Sequence, residues 1–329
     1  MPLSLRRGRV TAVLERHAGL ARLEADGRPC VAFPRLTGPV ALGDEVVVNT
    51  QARELGLGSG GFDVLHVNLS RGLGLAPEPG AHVMKLPYTP LQAAVVHAEE
   101  AGVTGSTALV GLPVVCCTLH SQVAPACAGI GGDVRVAYVQ LPGGALPVSL
   151  SDALRTLRRA GLVEVAVAVG ACVDGDVACV SAASALAWAA AAGFQVVICS
   201  IGPGIVGTAT HLGHGGLAAA DAANAASALG ARPILAPRVS AADPRDRHHG
   251  VSHHTLAVLD LALGPLTVAW PEGLPAPPSL AAVETVGVSG WQEACAGLPL
   301  RSMGRGPDDD PWFFAAAFAA GRVARGMLA

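Results

Sequence analysis

Charge and aromatic rings are both scarce in this 329-residue chain, at 14% and 4% of residues. So few rings leave no stacking platform for nucleic-acid bases. A formal net charge of −3 supplies no strongly basic face for a phosphate backbone. No nucleic-acid partner is therefore expected. Lysine is almost missing: Lys85 is the only one among 22 basic residues. Either the source genome trades lysine for arginine, or position 85 requires a compact ammonium, because the two side chains are not interchangeable. No Cys-x-x-Cys pair occurs among the eight cysteines, and Cys116 and Cys199 sit inside apolar runs. That reads as buried, reduced cysteine in a cytoplasmic protein, neither a disulfide frame nor a structural zinc site. The segment from Met1 to Arg7 has no apolar stretch behind its arginines, so no signal peptide is expected. Neither Gly-x-Ser-x-Gly nor a P-loop is found, which removes support for serine-hydrolase and nucleoside-triphosphatase chemistry.

No charged residue occurs from Val177 to Thr210. A run of that length can span a bilayer. It divides, however, into an alanine-rich helix (181–192), a break at Gly193, a strand (194–200) and a glycine-rich loop. A buried helix and central strand are expected, with no membrane span. Hydrophobic residues make up 51% of the chain. With so little charge, some apolar surface is expected to be buried against a second copy, giving a homo-oligomer, most simply a dimer.

The organisation reads as two domains. Residues 1–72 carry short strand-like runs at 8–14, 19–24, 29–33, 45–49 and 62–68, split by turn residues, as in a small β-barrel-like domain. Residues 73–329 read as a layered, Rossmann-like α/β domain with a mostly parallel sheet and a C-terminal helix. Strands are predicted at 107–110, 114–118, 134–140, 163–169, 194–200 and 233–238. Helices are predicted at 151–161, 181–192, 217–229 and 255–263. A further helix is predicted from Thr89, with a capping set in Thr89, Pro90 and Gln92, to about Ala101, where Gly102 stops it. Asp310 and Pro311 open the last helix as cap and first-turn residue.

Six of the eleven histidines lie between His211 and His254, where chance would place about 1.5. They fall in two clusters, His211-Leu-Gly-His214 and the run from Asp243 to Thr255. Each cluster follows a predicted strand, and loops at the carboxyl ends of parallel strands are where open α/β sheets bind ligands. Three readings of the site remain open. His211, His214, His249 and His253 would ligate a divalent metal, with Asp243 or Asp246 adding an oxygen. Alternatively, Arg238, Arg245 and Arg247 would grip an anion while His249 or His253 moves a proton. In the third, His253 and His254 merely start a helix and the other histidines are solvated.

Gly202, Gly204 and Gly207 follow a predicted strand with the G-x-G-x-x-G spacing of phosphate-binding turns. No Asp or Glu closes a plausible second strand until Asp243, about forty residues on, where a dinucleotide site uses about twenty. Loop amides would then hold a phosphate or carboxylate, or the glycines only let strand and helix pack. Arg305, between two glycines, and Lys85, just ahead of a predicted helix, are further candidates for reaching a ligand. Asp174-Gly-Asp176 reads as a turn.

Four segments carry a resemblance: Lys85-Leu-Pro-Tyr-Thr-Pro-Leu-Gln92, Gly202-Pro-Gly-Ile-Val-Gly-Thr208, Arg247-His-His-Gly-Val-Ser-His-His-Thr255 and Ser302-Met-Gly-Arg-Gly306. They resemble an uncharacterised bacterial family catalogued only as a domain of unknown function, over nearly the whole chain. The resemblance implies a bacterial, cytoplasmic origin and brings no activity, cofactor or catalytic residue. The residues themselves point to a soluble enzyme, hydrolase- or transferase-like, acting on a small phosphorylated or carboxylated molecule. A non-catalytic metabolite- or metal-binding regulatory protein is the other reading.

Overall fold

A computed structural model describes residues 3–56, 61–100, 109–275, 280 and 282–328. The chain forms two compact units, residues 1–96 and 97–329.

In the first unit, alternate side chains of short strands turn inward: Val10, Leu23, Val46, Val48 and Leu65 share one core. Such two-residue periodicity closes a sheet when its edges pair. The strands are β1 (Leu5–His17), β2 (Leu20–Ala25), β3 (Arg28–Ala32), β4 (Glu45–Asn49) and β5 (Asp63–Asn68). They form a closed barrel in the order β1-β2-β3-β5-β4, in which only β3 and β5 pair in parallel. Asp26 and Gly27, both at positive φ (50° and 70°), make the tight β2–β3 turn that Asp-Gly favours. Two single-turn helices, α1 (Pro34–Thr37) and α2 (Gln51–Glu54), fill the connections. Many of the barrel's arginines are neutralised within the unit: Arg7 and Arg9 by Glu45, Arg53 by buried Asp63 and Arg71 by buried Asp44.

The helix predicted from Thr89 does not form. A two-stranded hairpin stands there, β6 (Val83–Lys85) against β7 (Ala93–Val95). Leu86 and Tyr88 take left-handed φ values of 48° and 59°. The Gln92 side chain accepts from the Tyr88 amide, and the Thr89 hydroxyl donates to the Leu86 carbonyl. The side chains read as a helix cap thus close a turn, since the same local hydrogen bonds serve both. Ala101 and Gly102 lie outside the described residues. So do positions 107 and 108 of a predicted strand, and Leu109 and Val110 are not in one.

The second unit is the expected layered α/β fold. Its strands β8 (Pro113–Cys117), β9 (Val136–Leu141), β10 (Val165–Val169), β11 (Val177–Cys179), β12 (Val196–Ile201) and β13 (Arg232–Ala236) are followed by a small ladder. That ladder pairs β14 (Val239–Ser240) with β15 (Gly250–Val251), and β16 (Thr267–Pro271) and β17 (Val283–Val286) complete the set. The eight main strands are all parallel, in the order β11-β10-β9-β12-β8-β13-β16-β17. Every residue of β8, β9 and β12 is buried, as unbroken apolar runs require of a sheet covered on both faces. Helices α3 (Val123–Ile130) and α4 (Asp152–Arg159) pack on one face. Helices α5 (Ala182–Ala191), α6 (Ala218–Ala228) and α7 (His253–Asp260) pack on the other. After α8 (Trp291–Ala294), α9 (Pro311–Gly326) returns to the first face. The charge-free run becomes α5, a Gly193 turn and β12, and no helix among the described residues is long and apolar enough to cross a membrane.

The sheet order sets β8 between β12 and β13. The chain leaves β8 toward α3 on one face, and leaves β12 and β13 toward α6 and α7 on the other. Such divergence opens a crevice at the carboxyl ends. Both histidine-bearing loops rise from that rim.

Helices α3 and α9 touch through glycines. A Cβ on Gly129 would lie 2.2 Å from the Phe318 carbonyl oxygen, and one on Gly321 would lie 2.0 Å from that of Ala126. Gly129→Ala and Gly321→Ala are each expected to lower stability by about 1–3 kcal/mol, read as a lower urea midpoint at unchanged slope. At Gly326 an added Cβ meets nothing within 4 Å, and Gly326→Ala should be neutral or stabilising by up to about 1 kcal/mol. Equal midpoints for all three variants would show that the helices do not meet in this way.

Candidate metal centre

The loop after β12 doubles back on itself. Gly207 and His214 form an isolated antiparallel bridge, closed by the Thr208 amide on the Gly213 carbonyl at 2.7 Å. A Cβ on Gly207 would lie 3.0 Å from the His214 Cβ, so a larger residue there would press on His214. His214 is thereby held just ahead of α6. The loop after β13 is tied by the β14–β15 ladder, so that residues 241–249 form a closed excursion. Ser252 then caps α7, its Oγ accepting from the His254 amide at 3.2 Å. This cap sets His253 and His254 in the first turn of α7, two residues earlier than the predicted start at Thr255.

The two loops bring four imidazoles together. The His214 and His254 rings stack with centroids 3.8 Å apart. His214 and His253 lie 5.3 Å apart, and His253 and His254 4.5 Å. His248 adds a fourth ring, 4.8 Å from His253 and 4.9 Å from His254. One ring nitrogen from each of His214, His253 and His254 can be chosen so that all three lie within 4.8 Å of one another.

Their hydrogen bonding is incomplete. Among the described residues, neither nitrogen of His214 nor Nε2 of His253 makes a well-formed hydrogen bond, although all three are buried; the His211 backbone approaches the His214 ring and favours its charged form, against the effect of burial. Buried polar atoms are nearly always satisfied, so such orphans require an explanation. His120 provides the contrast within the same unit. It is equally buried, but its Nε2 lies 2.6 Å from Ser151 Oγ and its Nδ1 3.2 Å from the Ile201 carbonyl. His120 is a satisfied structural histidine, and His214 is not.

The other two rings are engaged. Nδ1 of His248 lies 2.7 Å from Ser252 Oγ. Nδ1 of His254 accepts from Arg238 Nη1 at 3.2 Å, because a guanidinium only donates. Arg238 is itself buried and belongs to a knot around Asp243. That carboxylate accepts from Arg238 at 3.2 Å, from Arg245 at 2.8 and 2.9 Å, and from Arg305 at 2.9 Å. Arg305 also reaches Asp310, which accepts from Ser240 Oγ and the Ala241 amide.

These surroundings set the protonation states. Burial opposes charge on Asp243, but hydrogen bonds from Arg245 and Arg305 overcome it and hold the carboxyl well below its usual range. Burial pulls Arg238 down to about 10. Burial, then His253, lowers His214 to about 4. Burial, then Arg238 and Arg245, lowers His248 to about 3. Burial, then His214 and Arg238, lowers His254 to about 2. His253 is also lowered, by burial and then by Arg247 and Arg238. All four rings are therefore neutral near pH 7, the form that binds a metal.

The remaining candidates are placed as follows. His211 is exposed, its Nε2 2.9 Å from Asp260, outside the stacked rings. His249 and Asp246 are exposed in the turn that flanks His248. Arg247 is exposed and its charge reaches His253. The forks of Arg245 and Arg305 are committed to the protein's own carboxylates. Gly202 packs so closely on the Ala145 carbonyl that a Cβ would sit 2.1 Å from its oxygen. Gly204 takes a φ of 73°. The Ala145 amide donates to the Pro203 carbonyl, and the Val206 amide to that of Gly143, so this glycine loop interlocks with residues 143–145. Lys85 ends β6, buried, in the first unit. Asp310 stands at the N-cap of α9 without capping it by its side chain, because its carboxylate is spent on Ser240, Ala241 and Arg305.

Residues 29–321 match the family described as "Protein of unknown function (DUF3866)". The chain belongs to this family. No curated protein and no solved structure matches the chain. The matched span includes both histidine loops, Asp243, Arg305 and Asp310.

Because His214, His248 and His254 titrate lower in the fold than the ordinary value near 6.5, the unfolded chain binds protons below that pH which the fold refuses. Stability must then fall with pH. In metal-free buffer the urea midpoint is expected to drop steadily from about pH 6.5 toward about pH 4. A midpoint that stays flat across this window would show that the rings are not held neutral.

Proposed function

We propose that this protein is a metal-assisted enzyme that acts on a small anionic molecule, with His214, His253 and His254 as the metal ligands. One observation carries the reading: imidazoles from two separate loops meet with one ring nitrogen each within 4.8 Å, and among the described residues His214 and His253 bring buried nitrogens that make no well-formed hydrogen bond. Neutral imidazoles suit zinc and the neighbouring divalent transition metals. Three protein ligands leave a position open, as catalytic zinc sites do and closed structural sites do not. A bound metal would polarise a carbonyl or phosphoryl oxygen, or lower the pKa of bound water to about 7.

The chain's own residues supply the rest. With one His254 nitrogen on a metal, the other must carry the proton. Arg238 then gives up its bond to Nδ1 and keeps Asp243, which it already reaches. His248 lies beside His253, anchored on Ser252, and stays neutral near pH 7 because burial and the arginines hold it at about 3. Arg247, exposed at the rim, offers a fork to an anionic substrate. A homodimer, which rests on the low charged fraction, and a cytoplasmic location, which rests on the buried, unpaired cysteines, belong to the same reading. Native mass spectrometry is expected to give a dimer, and monomer alone would overturn that part.

Protein purified without chelator is expected to hold about one zinc or similar ion per chain by elemental analysis. His253→Ala and His254→Ala should each lose it while keeping the wild-type circular dichroism. A wild-type protein that takes up neither zinc nor cobalt on titration would overturn the metal reading. One that binds metal but hydrolyses no phosphate or carboxylate ester would be a metal- or metabolite-binding regulatory protein instead.

A further inference from the structure

We infer that metal and an anion bind this site together, each raising the other's affinity, so that the substrate is one that places an anionic oxygen on the metal itself. This inference rests on the metal reading above. Its starting point is charge. The ligand set contains no carboxylate: His214, His253 and His254 are neutral and cancel none of a dication's charge. The ground behind them is positive. Arg238 is buried 3.2 Å from the His254 ring. Beside it, the buried carboxylates of Asp243 and Asp310 face three guanidiniums, those of Arg238, Arg245 and Arg305. One positive charge is left over. At the rim stands Arg247, exposed. The nearby acids, Asp260 beside His211 and Asp246 on the flanking turn, equal in number this leftover charge and Arg247, but both are exposed, where water screens them, while Arg238 is buried.

A bare dication entering such a place meets like charge in a medium of low dielectric, where repulsion is poorly screened. An anion at the open coordination position relieves it and can also pair with the Arg247 guanidinium. Linkage then makes the effect mutual: whatever factor the anion adds to metal affinity, the metal adds to anion affinity. A phosphate and a carboxylate share this chemistry, whereas a neutral or cationic substrate does not.

The test titrates the metal-free, full-length protein with cobalt(II) near neutral pH in a non-coordinating buffer, following the visible absorption of the bound ion. The titration is repeated with excess inorganic phosphate and with excess acetate, and His253→Ala serves as the blank for cobalt–anion complexes in solution. Cobalt is expected to bind about tenfold tighter or better with at least one of the two anions, with an altered spectrum. That anion should in turn bind tighter by the same factor when cobalt is present. Arg247→Gln should shrink this factor while leaving anion-free cobalt affinity unchanged or higher, because it removes a positive charge. A general loss of folding would instead weaken both. Cobalt affinity indifferent to both anions would overturn this inference alone. So would phosphate binding as tightly without metal, which would make the imidazoles an anion site in their own right. No cobalt uptake under any condition would overturn the metal reading itself.

Discussion

The buried carboxylate of Asp243 holds the rest of the site in place. A lone ionised carboxylate inside a protein is costly, and several charged hydrogen bonds are needed to keep it there. Asp243 has them from three parts of the chain: Arg238 just after β13, Arg245 within its own loop, and Arg305 from the segment before α9. Through this one group the histidine loop is fastened to the sheet below it and to the C-terminal segment beside it. The bonds are reciprocal, because Arg238 is itself buried and depends on the same carboxylate. Removing either partner strands the other, which is why such pairs are costly to break whatever their net contribution to stability.

Topology makes this fastening useful. Because β8 lies between β12 and β13, loops that leave these two strands rise on either side of it and lean over the same crevice. Neither loop could assemble the imidazoles alone. The first carries His214 on a hairpin closed at Gly207. The second carries His248, His253 and His254 on an excursion whose end is fixed by the Ser252 cap. The glycines of 202–207 contribute by letting backbones interlock, Gly202 on Ala145 and Gly207 on His214.

Much of this was legible in the sequence. Alternating apolar runs gave the barrel strands, unbroken ones gave the parallel sheet, and the density of histidine singled out the two loops. What stayed hidden was hidden for physical reasons. Thr89, Pro90 and Gln92 make the same local bonds in a turn as in a helix cap, and only tertiary context separates the two. His254 read as a helix-start residue, which it is, and nothing local shows that its ring stacks on one forty residues away. Arg245 and Arg305 looked free to grip a ligand because Asp243 read as an oxygen ligand for a metal, whereas its carboxylate is taken up by Arg238, Arg245 and Arg305. Asp310 looked like a cap because its position is a cap's, while its carboxylate serves Ser240 and Arg305 instead. A pattern in sequence marks where polar groups gather, but not which of them are already satisfied.

That distinction also separates function from structure among the histidines. His120 and His214 are both buried, and burial lowers both to about 4. By titration alone they are the same. His120 spends both nitrogens on Ser151 and Ile201, and so completes a framework. His214 makes no well-formed hydrogen bond with either nitrogen among the described residues. One ring short of partners, a second stacked on it and a third beside it form a buried cluster whose desolvation is costly. On the reading proposed above, a divalent metal, which accepts several imidazole lone pairs at once, would offset that cost.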